Sequence, residues 1–140
     1  RASDPAIAPA LLAAGADPDE EGGRVPYRYV TPILSVKSAS ASKDYYVDRL
    51  GFRIEFEAGP DFCAVMHDTI RIFLVQGAQG QPGTWLHIWV EDVDALHEEL
   101  KETGAVILNP PRNQPWGDRE MDVADPDGHV IRYSGVARQD

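Results

Sequence analysis

Sulfur, basic charge and long apolar runs are all scarce in this 140-residue chain, and each scarcity excludes something. The single cysteine, Cys63, rules out an internal disulfide and suits a reducing compartment. It lies in the run Phe62-Cys63-Ala64-Val65-Met66, which predicts a small buried apolar side chain rather than a reactive thiol. Thirteen Lys and Arg stand against 23 Asp and Glu, for a net charge of −10. That balance argues against binding nucleic-acid phosphates or an anionic membrane surface. It favours encounter with a cationic small molecule, although solubility alone explains it equally well. No apolar run approaches the ~18–20 residues that span a bilayer. The first residues lack a basic stretch followed by an apolar one, so no secretory signal is expected. The chain opens on Arg1 rather than Met, which leaves a processed leader open. A cytoplasmic location is the resulting expectation.

An apolar fraction of 43% suffices for a real core, in one domain or two small fused modules. The most informative stretch is 84–96. Residues 85–90 predict a strand, because large aromatic and β-branched side chains run without Gly or Pro. Alternation puts Leu86, Ile88 and Val90 on one face and Trp85, His87 and Trp89 on the other. Asp92 then offers an N-cap to a helix with the stripe Val93, Leu96 and Leu100. The aliphatic face of the strand packs on that helix, and the Trp-His-Trp face looks elsewhere.

Residues 1–24 read as an extension rich in Ala, Pro, Asp, Glu and Gly, with a helical turn or two near 9–14 and no assigned chemistry. The body, 25–140, divides into modules at about 28–77 and 84–135. The first predicts a strand at 30–36, a Ser-rich helix start, Gly51 as the left-handed cap, and strands at 52–57, 62–67 and 69–76. The second predicts strand 85–90, helix 92–103, cap Gly104, and a strand at 105–108. A Pro-rich loop at 109–116 and strands near 119–123 and 129–134 complete it. The last pair is joined by Asp125-Pro126-Asp127-Gly128, a turn sequence. Val36 to Val90 and Ser38 to Asp92 are both 54 residues apart, so the chain is read as a repeat of two βαβββ modules. The expected fold is α+β, a curved mixed sheet around a cleft with helices outside.

Several pieces in this order resemble the vicinal-oxygen-chelate superfamily of glyoxalases, bleomycin-resistance proteins and extradiol dioxygenases. They are Tyr45-Tyr46 with Gly51-Phe52, Val90-Glu91-Asp92-Val93-Asp94-Ala95-Leu96, Gly104-Ala105, Pro115-Trp116-Gly117, and Asp125-Pro126-Asp127-Gly128-His129-Val130-Ile131. Together they span residues 30–135. The resemblance implies four inward strand positions that hold a divalent ion in the metal-dependent members. Those positions match Thr31, Phe73, Trp85 and Arg132 here, none of them a competent ligand set, so no metal and no cofactor are expected. His87 lies two residues beyond the second-module position on the same face. It is expected to bond a ligand or a neighbour, with an atypical metal role as the alternative.

Aromatics in place of metal ligands bring the chain nearest the bleomycin-resistance proteins. These sequester a cationic heteroaromatic glycopeptide as homodimers whose clefts both chains complete. The resemblance therefore implies a small-molecule ligand, a homodimer, and binding without catalysis. The expected ligand-binding residues are Trp85, His87, Trp89, Trp116, Phe73 and Arg132. Flat π faces attract flat or cationic groups at ~0.5–2 kcal/mol per contact. Glu120 and Asp122 share a strand face that either greets a positive ligand or is simply solvated. Arg119 and Arg132 either meet an anionic ligand group or pair with a carboxylate. His67, His97 and His129 read as solvated or locally bonded. Two other readings stand beside sequestration: a glyoxalase- or dioxygenase-type lyase or isomerase, and a domain kept for interaction or structure with its tryptophans in the core.

Overall fold

The computed structural model describes residues 25–139 apart from 78, 79 and 82, so the helical turn expected near 9–14 lies outside the described residues. By its contacts the chain separates into 1–30 and 31–140. Of the first unit, residues 25–30 carry no regular structure. The elements of the described residues lie in the second unit: β1 (Ile33–Val36), α1 (Ala39–Asp48), β2 (Arg53–Glu57), β3 (Phe62–His67), β4 (Ile70–Gln76), β5 (Trp85–Trp89), α2 (Val93–Thr103), β6 (Val106–Asn113), β7 (Asp118–Ala124) and β8 (Val130–Val136).

The repeat read from the sequence is structural. One sheet has the order β1-β4-β3-β2 and the other β5-β8-β7-β6, each with one parallel pair and two antiparallel pairs. The two helix starts match as well. Ser38 caps α1 by accepting from the Ala41 amide at 3.1 Å, and Asp92 caps α2 by accepting from Ala95 at 3.0 Å. The α+β class and the tandem βαβββ order are therefore as expected, with the sheet surface divided into two four-stranded pieces.

Three local expectations change. β1 is shorter than 30–36, as Pro32 cannot donate to a ladder. α1 ends with Arg49 as its cap, and the left-handed residue Gly51 (φ 81°) follows two positions later. The stretch expected as a Pro-rich loop is strand as far as Asn113. β6 is an edge strand, so Pro110 and Pro111 need no partner on its outer side, and register shifts between Ile107 and Arg112 absorb them.

The inner faces of both sheets and the two helices share one core. Leu34, Tyr46, Phe52, Val65, Ile72 and Leu74 from the first module meet Val93, Leu100, Met121, Val123, Ile131 and Tyr133 from the second. Cys63 is part of this core, and burial pushes its thiol up, as expected of an inert apolar residue. Polar bridges join the modules. The Tyr45 hydroxyl donates to Ala124 O at 2.7 Å and accepts from the Val106 amide at 3.0 Å. Tyr46 donates to the Asp125 carboxylate at 3.0 Å, and Arg49 donates to Thr103 O at 2.6 Å.

His129 is the deepest bridge, and the solvated alternative for it is overturned: it is fully buried. Its Nδ1 accepts from the Thr84 amide at 3.0 Å, and its Nε2 lies 2.7 Å from Ser35 O. A carbonyl only accepts, so the ring is the neutral Nε2–H tautomer.

One close approach constrains β8. A Cβ at Gly135 would lie 2.9 Å from Val93 Cγ2 and 3.0 Å from Val90 O. Gly135→Ala is therefore expected to cost about 1–2 kcal/mol by pushing α2 away from the sheet. Urea denaturation checks it, and an unchanged midpoint would refute the clash.

Candidate functional site

Because the core takes one face of each sheet, the other face is left open, and the two open faces differ in chemistry. On the first sheet, Phe56, Phe62 and Phe73 touch one another, with ring centroids 4.9–6.1 Å apart. Phe56 and Ile33 are exposed there. Phe73 thus belongs to an all-phenyl patch on the first sheet, and the structure does not bring it to the other five expected site residues.

The second sheet carries a polar face built from cross-strand rows. Register aligns His87 with Arg132, Arg132 with Asp122, and Asp122 with Asn109, one residue from each strand. The next row aligns Trp89, Ser134, Glu120 and Arg112. Since side chains two apart share a face, these rows and Trp85 present one continuous surface. Its outer border is Trp116, at the tip of the β6–β7 hairpin, where the Gln114 amide bonds Asp118 O at 2.7 Å. Between them lies an open pocket of roughly 460 Å³, lined by Asn109, Pro111, Trp116, Glu120, Asp122 and Arg132.

Arg132 and Asp122 are paired, which resolves the role of Arg132 toward an internal carboxylate. Its Nε donates to Asp122 Oδ1 at 2.9 Å and its Nη2 to Oδ2 at 3.3 Å. Asn109 adds a bond to Oδ2 at 2.9 Å. Burial alone would push the Asp122 carboxyl up, but the Arg132 and Asn109 bonds hold it below its usual range. The same guanidinium lies 5.1 Å from the centre of the Trp85 ring, so the exposed indole already stacks on a cation. Arg119, by contrast, leaves the open face and pairs with Asp94 of α2 at 2.8 Å.

His87 joins the same network. Ser134 Oγ donates its one proton to Glu120 Oε2 at 2.8 Å, and His87 Nε2 lies 2.9 Å from Ser134 Oγ. The hydroxyl has spent its hydrogen, so the imidazole must donate through Nε2–H. His87 Nε2 is also 3.9 Å from Glu120 Oε2. Glu120 and Asp122 are therefore buried network members rather than a solvated strand face. Ser134 and Asn109 are additions to the sequence-based set. The alternation of β7 and β8 puts them on the right face, but only the pairing register names their partners.

The donor set does not fit a divalent ion. Of the four positions implied by the resemblance, Thr31 lies ahead of β1, Phe73 is in the phenyl patch, Trp85 stacks on Arg132, and Arg132 is bound to Asp122. Among the described residues no group of three or more His, Cys, Asp or Glu side chains is placed to hold a metal. Trp89 stays close to His87 in sequence but also borders a separate apolar pocket of roughly 180 Å³ with Leu50, Phe52, His67 and Tyr133.

The profile of the Glyoxalase/Bleomycin resistance protein/Dioxygenase superfamily matches residues 28–133. The chain belongs to that superfamily. Within it, a bleomycin resistance protein of Staphylococcus aureus is 30% identical over 125 residues, covering 73% of this chain and 92% of that protein. An uncharacterised protein of Mycobacterium bovis is 29% identical over 119 residues, covering 71% of this chain and 78% of the relative. Among solved structures, the bleomycin-binding protein from bleomycin-producing Streptomyces verticillus, complexed with copper(II)-bleomycin, superposes with a TM-score of 0.68 at 28% identity. The match covers 82% of this chain and all of that one. The superfamily's tandem modules thus account for the whole of 31–136, and its bleomycin-binding branch is close in both sequence and fold.

Proposed function

We propose that this protein is a metal-independent small-molecule sequestration protein of bleomycin-resistance type, using the open face of the second module as the ligand wall. The observation that carries the reading is the composition of that face: an exposed indole on a paired guanidinium, a second indole at the rim and, among the described residues, no metal-ligating set. Such a surface binds flat groups by stacking. The similarity to the S. aureus and S. verticillus proteins supports the same class.

The cleft is proposed to be completed by a second copy. In the single chain Ile33, Phe56, Trp85 and Trp116 are all exposed on or beside the two open faces, an apolar load that a monomer rarely displays. The phenyl patch of one copy opposite the Trp85 face of the other would cover both. Sedimentation equilibrium should return twice the chain mass, and a single-chain mass at about 50 μM would remove the shared cleft.

The ligand test is a tryptophan-fluorescence titration with bleomycin. We expect saturable quenching near one ligand per cleft, weakened about five- to tenfold by Trp85→Ala and by Trp116→Ala, the loss of roughly 1 kcal/mol of stacking. Absence of quenching at high micromolar drug removes bleomycin as the ligand. One observation favours a lyase or isomerase instead, the closeness of His87 to Glu120. Bulk metal analysis of protein purified without a metal-affinity step separates the two, since stoichiometric metal would favour the enzyme.

A further inference from the structure

The chain Glu120–Ser134–His87 has a direction. Glu120 accepts from Ser134, and Ser134 accepts from His87, so the carboxylate fixes which imidazole nitrogen carries the proton. The charged groups facing His87 come from two strands. On β8, Arg132 is its register partner and Ser134 its hydrogen-bond partner. On β7, Glu120 lies 3.9 Å away and is equally close to Arg132 Nε through its other oxygen, with Asp122 one row over and bound to Arg132. On β5 itself the flanking same-face residues are the neutral Trp85 and Trp89. β5 is an edge strand, so no further strand of the sheet lies beyond it.

His87 is part-exposed, with its side chain 33% accessible, whereas that of Glu120 is 3% accessible. A ligand stacked on Trp85 would therefore meet the imidazole and sense the carboxylate through it. With a neutral ring, the carboxylates Glu120 and Asp122 outweigh the one guanidinium of Arg132, and a positive ligand group senses that excess. A protonated ring places a positive charge where that group would sit, and is itself stabilised by a carboxylate within 4 Å.

We propose that His87, wired through Ser134 to Glu120, is the charge selector of this face: a cationic ligand and a proton compete for it, so that binding of a flat cation is released by acid. The inference rests on the reading of this face as a ligand site, and it specifies that ligand's charge and the group that senses pH.

The test uses two probes of one shape, the permanent cation N-methylquinolinium and the neutral quinoline, followed by tryptophan quenching and by imidazole NMR on the full chain. We expect the cation to bind roughly tenfold more tightly at about pH 8 than at about pH 5.5, with quinoline changing far less above its own titration. Saturating cation should shift the His87 titration midpoint to lower pH. His87→Gln, which keeps a donor on an exposed edge strand, should abolish the pH dependence. Ser134→Ala removes both the His87 and the Glu120 bonds, so it should reduce the pH dependence and lower the midpoint of urea unfolding by no more than the loss of two hydrogen bonds. Equal affinity for the cation at both pH values overturns the proposal. So does pH dependence that survives His87→Gln, or absence of saturable binding by about 10 mM cation. Quinolinium binding as expected with no bleomycin binding would leave the charge selector standing and remove the bleomycin reading. Bleomycin binding without any quinolinium response would do the reverse.

Discussion

His129→Ala is expected to lower the unfolding free energy by about 3–5 kcal/mol, the sum of a cavity and two stranded backbone groups. The imidazole is fully buried, and its two nitrogens bond the Thr84 amide and Ser35 O. Ser35 belongs to β1 and Thr84 leads into β5, so the loss falls on the joint between modules. The turn that presents His129 is itself held by Asp125, whose Oδ1 accepts from the amides of Asp127 and His129 at 2.8 and 2.9 Å. His129→Gln supplies one donor and one acceptor on a flexible stem and should cost roughly half as much. Urea denaturation followed by both fluorescence and circular dichroism checks the pair. A loss below about 1 kcal/mol for the alanine variant would mean that water replaces the ring at no cost.

Arg132→Gln should cost about 1–3 kcal/mol at neutral pH, and the cost should depend on pH in a defined direction. The upper end is discounted because the Arg132 side chain is 35% exposed and solvent screens part of the pair. In the wild type the Asp122 carboxyl titrates below its unfolded value of about 3.9. The unfolded state then binds protons more readily, so this contribution is fully present above about pH 4 and fades as the pH falls through the folded value. In Arg132→Gln the burial of Asp122 is opposed mainly by Asn109, and the carboxyl moves up. Its contribution then declines as the pH rises through about 4 and beyond. The gap between the two proteins should be smallest near pH 3 and widest at neutrality. A gap that is constant with pH would assign the loss to the stacking on Trp85 rather than to the carboxylate.

These two results would also weigh on the ligand face from opposite sides. His129 bonds Thr84, Ser35 and Asp125 rather than the Arg132 and His87 networks, so His129→Gln tests the scaffold. Arg132 supports the wall itself, and its replacement should alter both stability and quenching by a flat probe. A protein in which both variants behave alike would have its modules and its ligand face coupled more tightly than the separate networks imply.

The sequence alone determined the class, the tandem βαβββ order and the helix caps. It also assigned the split of β5 into an aliphatic face and a Trp-His-Trp face. Each of these follows from relations between residues a few positions apart: alternation by two, an N-cap accepting from an amide three residues on, a turn set by Pro126 and Gly128. The repeat offset of 54 carried the same local signals into both modules. The tertiary structure decided what lies across from what. It carried β6 through Pro110 and Pro111, because an edge strand has a side on which no ladder bond is required. It buried His129, because a residue beside a turn is solvated or not according to what packs over it. It put Phe73 in a phenyl patch and Trp85 and Trp116 beside Arg132, because strand pairing assigns neighbours that are far apart in the chain. It joined His87, Ser134 and Glu120 into one hydrogen-bonded line for the same reason. Register is set by the packing of whole faces against a shared core, and no short stretch of sequence contains that sum.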